Sequence, residues 1–379
     1  MPRPKPPVIP RADSVVGALL PWFAAHARDL PWRRTLDPYA IWISEIMLQQ
    51  TQVKTVIPYW ERWLKRLPTV AALAAAPEGD VLKLWEGLGY YTRARNLRRA
   101  AQTIVENHGG QFPRNFADVL ALPGIGRYTA GAIASIAYNE AAPILDGNVI
   151  RVLTRLGALR GDPKGKVLNA RLWELAEELV ATAAKGATAA PPAPHFAGPC
   201  STSNQALMEL GATVCTPRAP TCLVCPLAAL CVAGRLGQAE AFPESKARAE
   251  VTAQRFVVAV LERQGRFLAR QRPAGAVNGG LWEFPNLELV PGAVAREIAA
   301  DWLSLPAGSL VALKGVKHSI TRYRISLEVF RAEAGRRALP VEAGTAWRTP
   351  AELDQLAFTS AHRRILRQFL TPTSPTPRH

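Results

Sequence analysis

Apolar residues recur at three- and four-residue spacing through residues 13–183, clearly so in 69–76 and 94–105, which predicts successive helices. Pro31, Pro68, Pro77 and Pro113 punctuate them, where helices end or turn. No strand is predicted here. Residues 184–203 (AKGATAAPPAPHFAGPCSTS) are Ala/Pro-rich and aperiodic, a loop or insertion that bulges from the surface. A helix over 204–214 leads into a cysteine-rich loop. Beyond about residue 236 the texture changes. RFVVAVLERQGRFLARQR alternates and is β-branched, predicting a hairpin that turns at Gln264-Gly265. ISLEVFRAE (325–333) is a further strand, and VAREIAADWL and TSAHRRILRQFL are helices. The fold class is a mainly α N-terminal region followed by an α+β domain. The expected division is a disordered tail at 1–12, a helical region at 13–235, a linker at 236–250, a second domain at 251–370 and a disordered tail at 371–379.

The chain of 379 residues carries 46 Lys and Arg against 30 Asp and Glu, a formal charge of +16. The excess is spread out: 26 basic and 17 acidic residues in 1–235, 18 and 10 in 251–379. A distributed positive field points to a polyanion, and nucleic acid is the commonest one. No run of about twenty apolar residues exists, which excludes a spanning helix. MPRPKPPVIPR lacks the apolar stretch of a secretory signal, so a cytoplasmic, nucleoid-associated protein is expected, with no membrane partner.

Four cysteines change the picture most. Cys215, Cys222, Cys225 and Cys231 follow the pattern C-x6-C-x2-C-x5-C. Thiolates this close in sequence can surround one metal centre, and their softness narrows it to a [4Fe–4S] cluster or a structural zinc. Two disulfides fit a chain without secretory features poorly. Cys200, in the irregular segment upstream, reads as a free thiol and not a ligand.

Three further segments carry candidate chemistry. In LPGIGRYTAGAIASIAY (122–138), Gly124 and Gly126 permit a tight turn that exposes backbone amides before an apolar helix. Such a helix–hairpin–helix grips a phosphate or a cation through its backbone, without reading sequence. In ILDGNVIRVLTRLG, Asp146 precedes a helix; it is either a simple N-cap or also a carboxylate facing a pocket, held ionised by the helix start. Glu45, in YAIWISEIMLQQTQV, is flanked by apolar residues. Buried, it would have a raised pKa and act as a general acid; otherwise it shares the polar face of an amphipathic helix with Gln49 and Gln52. One ionised and one protonatable carboxylate can break a glycosidic bond, here between deoxyribose and an extruded base. Gln50 and the Tyr90-Tyr91 pair are candidate wedges, unless the tyrosines are core, and Arg93 and Arg95 candidate phosphate contacts.

Five strings together, SEIMLQQTQV (44–53), GLGYYTRARNL (87–97), LPGIGRYTAGAI (122–133), DGNVIRVL (146–153) and SNQALMELGA (203–212), resemble the helix-hairpin-helix DNA glycosylases that carry an iron–sulfur cluster. Within them the likeness is to the adenine-specific, MutY-type family. The resemblance covers nearly the whole chain. It implies monomeric base-excision repair of double-stranded DNA, removing adenine opposite 8-oxoguanine or guanine. It implies that Glu45 protonates adenine N7 and that Asp146 stabilises or captures the oxocarbenium ion. Tyr128 and Asn148 would support the pair and Arg33 would line the pocket. Gln50 and Tyr90 would intercalate, the four cysteines would ligate a [4Fe–4S] cluster, and the hairpin carbonyls would bind a monovalent or calcium ion. Where Tyr128 stands, the related endonuclease III has a Schiff-base lysine; tyrosine cannot do that chemistry, so the enzyme would be monofunctional.

GGLWEFPNLEL (279–289) matches the family's Nudix-like C-terminal module. The hydrolase signature needs several glutamates, but REIAADWL has only Glu297, so the implied role is recognition of 8-oxoguanine and not hydrolysis. The family often places Phe-Ser-His in its reading loop. Here HSITRYRIS (318–326) supplies Ser319 and then Ile320, Thr321 and Arg322, so Arg322 replaces the histidine. Rival readings are a thymine or uracil mismatch glycosylase, a non-enzymatic iron–sulfur DNA-binding protein and a Nudix hydrolase with a helical appendage.

Overall fold

The computed structural model describes residues 9–186, 196–244, 250–320, 322–334 and 344–370. The chain divides into two compact units, Met1–Ala75 with Asn96–Ala247, and Ala76–Arg95 with Arg248–His379. Of the tails expected at 1–12 and 371–379, residues 1–8 and 371–379 lie outside the described residues, whereas Ala12 already opens the helix Ala12–His26.

In the first unit the helix Pro38–Leu48 is buried on every side, residues 39–47 all being buried, and Ser44 and Glu45 interrupt an otherwise largely apolar run. Pro38 occupies its first turn, and the Asp37 side chain accepts a hydrogen bond from the Tyr39 amide at 3.0 Å, so an otherwise greasy segment has a defined start. It packs against Arg127–Tyr138, whose residues 129–137, mostly small, are all buried. Gly147–Leu156 and Pro199–Thr213 complete the frame, and both contribute to one apolar core with Ala12–His26 and Lys166–Lys185. The last of these frame helices corrects the sequence reading: it starts at Pro199, not 204. Proline at the first turn begins the helix, so Cys200 is a buried helical residue instead of part of an irregular loop. Residues 187–195 of the expected insertion lie outside the described residues.

In the second unit, β1 (Thr252–Arg263), β2 (Arg266–Gln271), β3 (Trp282–Glu283), β4 (Asn286–Leu289), β5 (Val311–Ile320), β6 (Tyr323–Glu333) and β7 (Thr345–Arg348) form one mixed sheet with the path β3-β2-β1-β6-β5. The predicted hairpin is present, Glu262 facing Phe267 across a turn with Gln264 and Gly265 both at positive φ. β1 runs parallel to β6. Val257, Ala259 and Leu261 of β1 face a core with the helix Ala295–Leu303, and Val258 and Val260 face another with Ser360–Leu370. Covering both faces makes a central strand read as continuous apolar sequence.

Candidate active site

A cavity of about 650 Å³ opens in the first unit, within the size range of small-molecule sites, and Glu45, Gln50, Tyr128, Asp146 and Asn148 are among its lining residues. Glu45 is 5% exposed. Gln49 and Gln52 lie beyond the helix end that holds it, so the three do not form the shared polar face that periodicity allowed. Burial pushes the Glu45 carboxyl up to about 7, and the neighbouring Asp146 charge adds to this; the Tyr128 hydroxyl and Arg33 oppose it. Tyr128 donates to Glu45 Oε2 at 2.7 Å. Burial, with the charges of Glu45 and Asp146, raises the phenol well above its ordinary value, so Tyr128 stays a hydrogen-bond donor.

Asp146 caps the helix Gly147–Leu156, accepting from the Val149 amide at 2.7 Å and from Asn148 Nδ2 at 2.8 Å. The two readings of Asp146 are therefore both true: it caps, and it faces the pocket. The expectation that a helix start holds its pKa low needs correction. Burial pushes it above the ordinary carboxylate value, and the amides of Val149 and Asn148 only counter that rise.

Gln50 sits exposed in the left-handed region at φ 58°, a conformation costly for any side chain with a Cβ. In the second unit Tyr90 shares the trait, at φ 48° and 50% exposed, whereas Tyr91 is buried core. The two candidate phosphate contacts turn inward. Arg93 donates to the carbonyls of Leu88 and Gly89, both at 3.1 Å, and packs over the Trp85 ring. Arg95 is bound to Glu78 and the Gly279 carbonyl. Gly124 stands at φ 78°, where a Cβ would lie 2.5 Å from Asn96 Cβ, and Gly126 caps Arg127–Tyr138 with open space beside it.

Two charged lining residues are not singled out by any sequence motif, Arg28 and Glu209. The buried Glu209 carboxylate receives the Arg28 amide at 3.1 Å, a bidentate Arg28 guanidinium at 2.7 and 2.8 Å, and Arg33 Nη2 at 2.9 Å. Burial favours its neutral form, yet these arginines hold it down at about 2. Arg33, expected in the pocket, is there, and its other donors go to Gln205 and the Arg28 carbonyl. Glu209 follows Met208 within the helix Pro199–Thr213, and nothing in spacing alone marks it as paired.

The cysteine loop is tied to the same helix as Asp146. Arg151 donates to Asn148 Oδ1 at 2.8 Å and to the Cys215 carbonyl at 2.7 Å, and the buried Arg155 reaches Cys215 Sγ at 3.4 Å. All four loop thiols are free, with Cys222 exposed and the others half-buried, so disulfides do not join them. Among the described residues no three His, Cys, Asp or Glu side chains gather tightly enough to mark a metal-ion site. The thiols nonetheless act on one another: burial raises Cys225 to about 11, and the charges of the other three add to it. Four soft thiol donors on one loop are the kind of set that holds an iron–sulfur cluster or a structural zinc.

In the second unit, Ser319 is exposed on β5 opposite Arg324, at the hairpin where Ile320 faces Tyr323. Thr321 lies outside the described residues. Arg322 is exposed and stacks its guanidinium on Tyr323 at 5.2 Å.

Residues 43–178 match the HhH-GPD superfamily base excision DNA repair protein model, and 256–368 match the NUDIX domain model. The human adenine DNA glycosylase is 35% identical over 93% of this chain and 73% of its own length. The rat (Rattus norvegicus) adenine DNA glycosylase is 36% identical over 93% and 77%. A solved thermostable thymine-DNA glycosylase is 31% identical with a TM-score of 0.51, over 59% of this chain and 97% of its own. Fold alone thus admits either base, and it is the extended sequence identity across both units that decides: the chain belongs to the adenine DNA glycosylases.

Proposed function

We propose that this protein excises adenine mispaired with 8-oxoguanine or guanine in double-stranded DNA, by hydrolysis of the N-glycosidic bond. The observation that carries the reading is the pairing, in one cavity, of a carboxyl raised to about 7 with a second carboxylate held by amides. Near neutral pH about half of Glu45 holds a proton. That proton goes to adenine N7, and the C1′–N9 bond breaks with its electrons moving to the base. Asp146 faces the oxocarbenium ion, stabilising its charge or forming a bond to C1′; water then adds at C1′, displacing any bond to Asp146 and giving its proton to the Glu45 carboxylate. Asn148 orients Asp146, and Tyr128 orients Glu45. Tyr128 offers no amine, so no Schiff base and no strand cleavage follow.

Arg28, Arg33 and Glu209 form a fixed polar wall for the base. With four donors on Glu209, its acceptor capacity is used, and its task is to hold both guanidiniums at the cavity. Gln50 and Tyr90, exposed and strained toward solvent, fit wedges that fill the space left by extrusion. The thiols of Cys215, Cys222, Cys225 and Cys231 would hold a [4Fe–4S] cluster, which supplies cross-links that pin the loop 215–231. The hairpin at Gly124 and Gly126 would grip the DNA backbone, with a monovalent or calcium ion on its carbonyls.

The second unit would read the oxidised base through Ser319, Thr321 and their neighbours. Glu297 is exposed, and the other acidic residue of its helix is Asp301, which leaves a poor metal site for pyrophosphate hydrolysis. A monomer in the cytoplasm fits these roles. Incubation with A·8-oxoG, A·G, T·G and U·G duplexes tests the reading. Excision of adenine is expected, fastest opposite 8-oxoG; dominant release of thymine or uracil would overturn it.

A further inference from the structure

The arginines around the cavity are almost all committed. Arg28 and Arg33 serve Glu209, and Arg151 and Arg155 serve the cysteine loop. Arg127 differs. It is exposed, and its guanidinium lies 4.0 Å from the centre of the Trp173 ring, the shortest cation–ring contact among the described residues. It has no hydrogen bond or ion pair among those residues. A guanidinium held against an indole face keeps its donors free at its edge, and stacking restricts the long side chain before any ligand arrives.

Its place in the chain gives this cation a direction. Gly126 and Tyr128, the residues on either side, both line the cavity. Successive Cα atoms are about 3.8 Å apart, so Arg127 starts at the rim. Trp173 belongs to the neighbouring helix Lys166–Lys185 and does not line the cavity. The stack therefore draws the guanidinium to the outside of the rim, while Tyr128 points inward to Glu45.

We infer that Arg127, oriented by Trp173, binds a backbone phosphate of the strand whose nucleotide enters the cavity. Arg127 is the contact and Trp173 the positioning residue. The fork geometry of a guanidinium matches two phosphate oxygens, and a fixed fork spends less freedom on binding than a mobile one. The inference rests on the cavity being a nucleotide pocket.

Equilibrium binding of an A·8-oxoG duplex across salt concentrations, with single-turnover excision measured alongside, tests it. For Arg127→Ala we expect about tenfold weaker binding at low salt, and a salt slope reduced by about 0.9, the value of one phosphate contact. For Trp173→Leu we expect about a two- to fivefold loss with the slope kept. In the double variant Trp173→Leu should add almost nothing to Arg127→Ala, because the ring acts through the guanidinium. Arg127→Lys, which keeps the charge without the stacked fork, should keep the slope and resemble Trp173→Leu. A salt slope unchanged in Arg127→Ala, or losses that multiply in the double variant, would overturn the inference. Wild-type protein that excises no adenine would instead overturn the reading on which it rests.

Discussion

Burial raises the Glu45 carboxyl to about 7, while the Tyr128 hydroxyl and Arg33 pull it down. Three predictions follow at the scale of single residues. Excision should fall about tenfold per unit of pH above 7, because the proton donor is lost. Tyr128→Phe removes the hydroxyl that favours the carboxylate, so the Glu45 pKa should rise further, and the alkaline limb of the rate profile should move to higher pH; a downward move would reverse the assigned sign. Stability carries the same sign. The folded carboxyl holds its proton up to about 7 against an ordinary value of 4.5, so stability is lost as pH rises between these values, by up to about 3 kcal/mol. Glu45→Gln should therefore unfold at higher denaturant than wild type at about pH 8, even as it loses excision. Equal or lower stability there would show that Glu45 is not strained by its ionisation.

Elements decide whether these side chains meet. Gly211 in Pro199–Thr213 lies against the helix that Asp146 caps, and a Cβ there would come 2.6 Å from Asn148 Cβ and 2.9 Å from its carbonyl. Gly211→Ala should push the two helices apart, lowering kcat well beyond any loss of DNA affinity; an unchanged kcat would show that the contact yields. Much of this was legible in the sequence. The glycines of 122–126 and the Asp-Gly-Asn start of a helix signal local geometry that only certain residues adopt. Glu45 was not: a glutamate with glutamines at helical spacing fits a solvated face as well as a buried one, and only the packing of residues 39–47 on every side resolves it. Arg28 and Glu209 are 181 positions apart, so no local pattern pairs them. The ten-residue β5 was not read from the sequence, and neither were β3, β4 and β7, because two- to four-residue strands exist through their sheet neighbours and not through their own periodicity.

For the whole molecule, the stretch Ala76–Arg95 clusters with the C-terminal residues and not with the helical unit that surrounds it in sequence. Glu86 accepts from Arg363 Nε at 2.6 Å and from the Phe358 amide at 3.1 Å, and Lys83 reaches the Leu356 carbonyl at 3.2 Å. Deleting the chain from residue 250 onward should therefore do more than remove the Nudix-like domain. It strips partners from the segment that carries Tyr90, so proteolysis within 76–95 should accelerate; unchanged protection there would show that the segment is held otherwise. The account as a whole stands on a protonated Glu45 delivering its proton to a departing adenine. Single-turnover excision from an A·8-oxoG duplex, compared between wild type and Glu45→Gln from about pH 5 to about pH 9, tests it most directly. The account predicts a wild-type rate that falls with a midpoint near 7 and a variant that binds the duplex but releases no adenine at any pH. A variant that excises at the wild-type rate would contradict it.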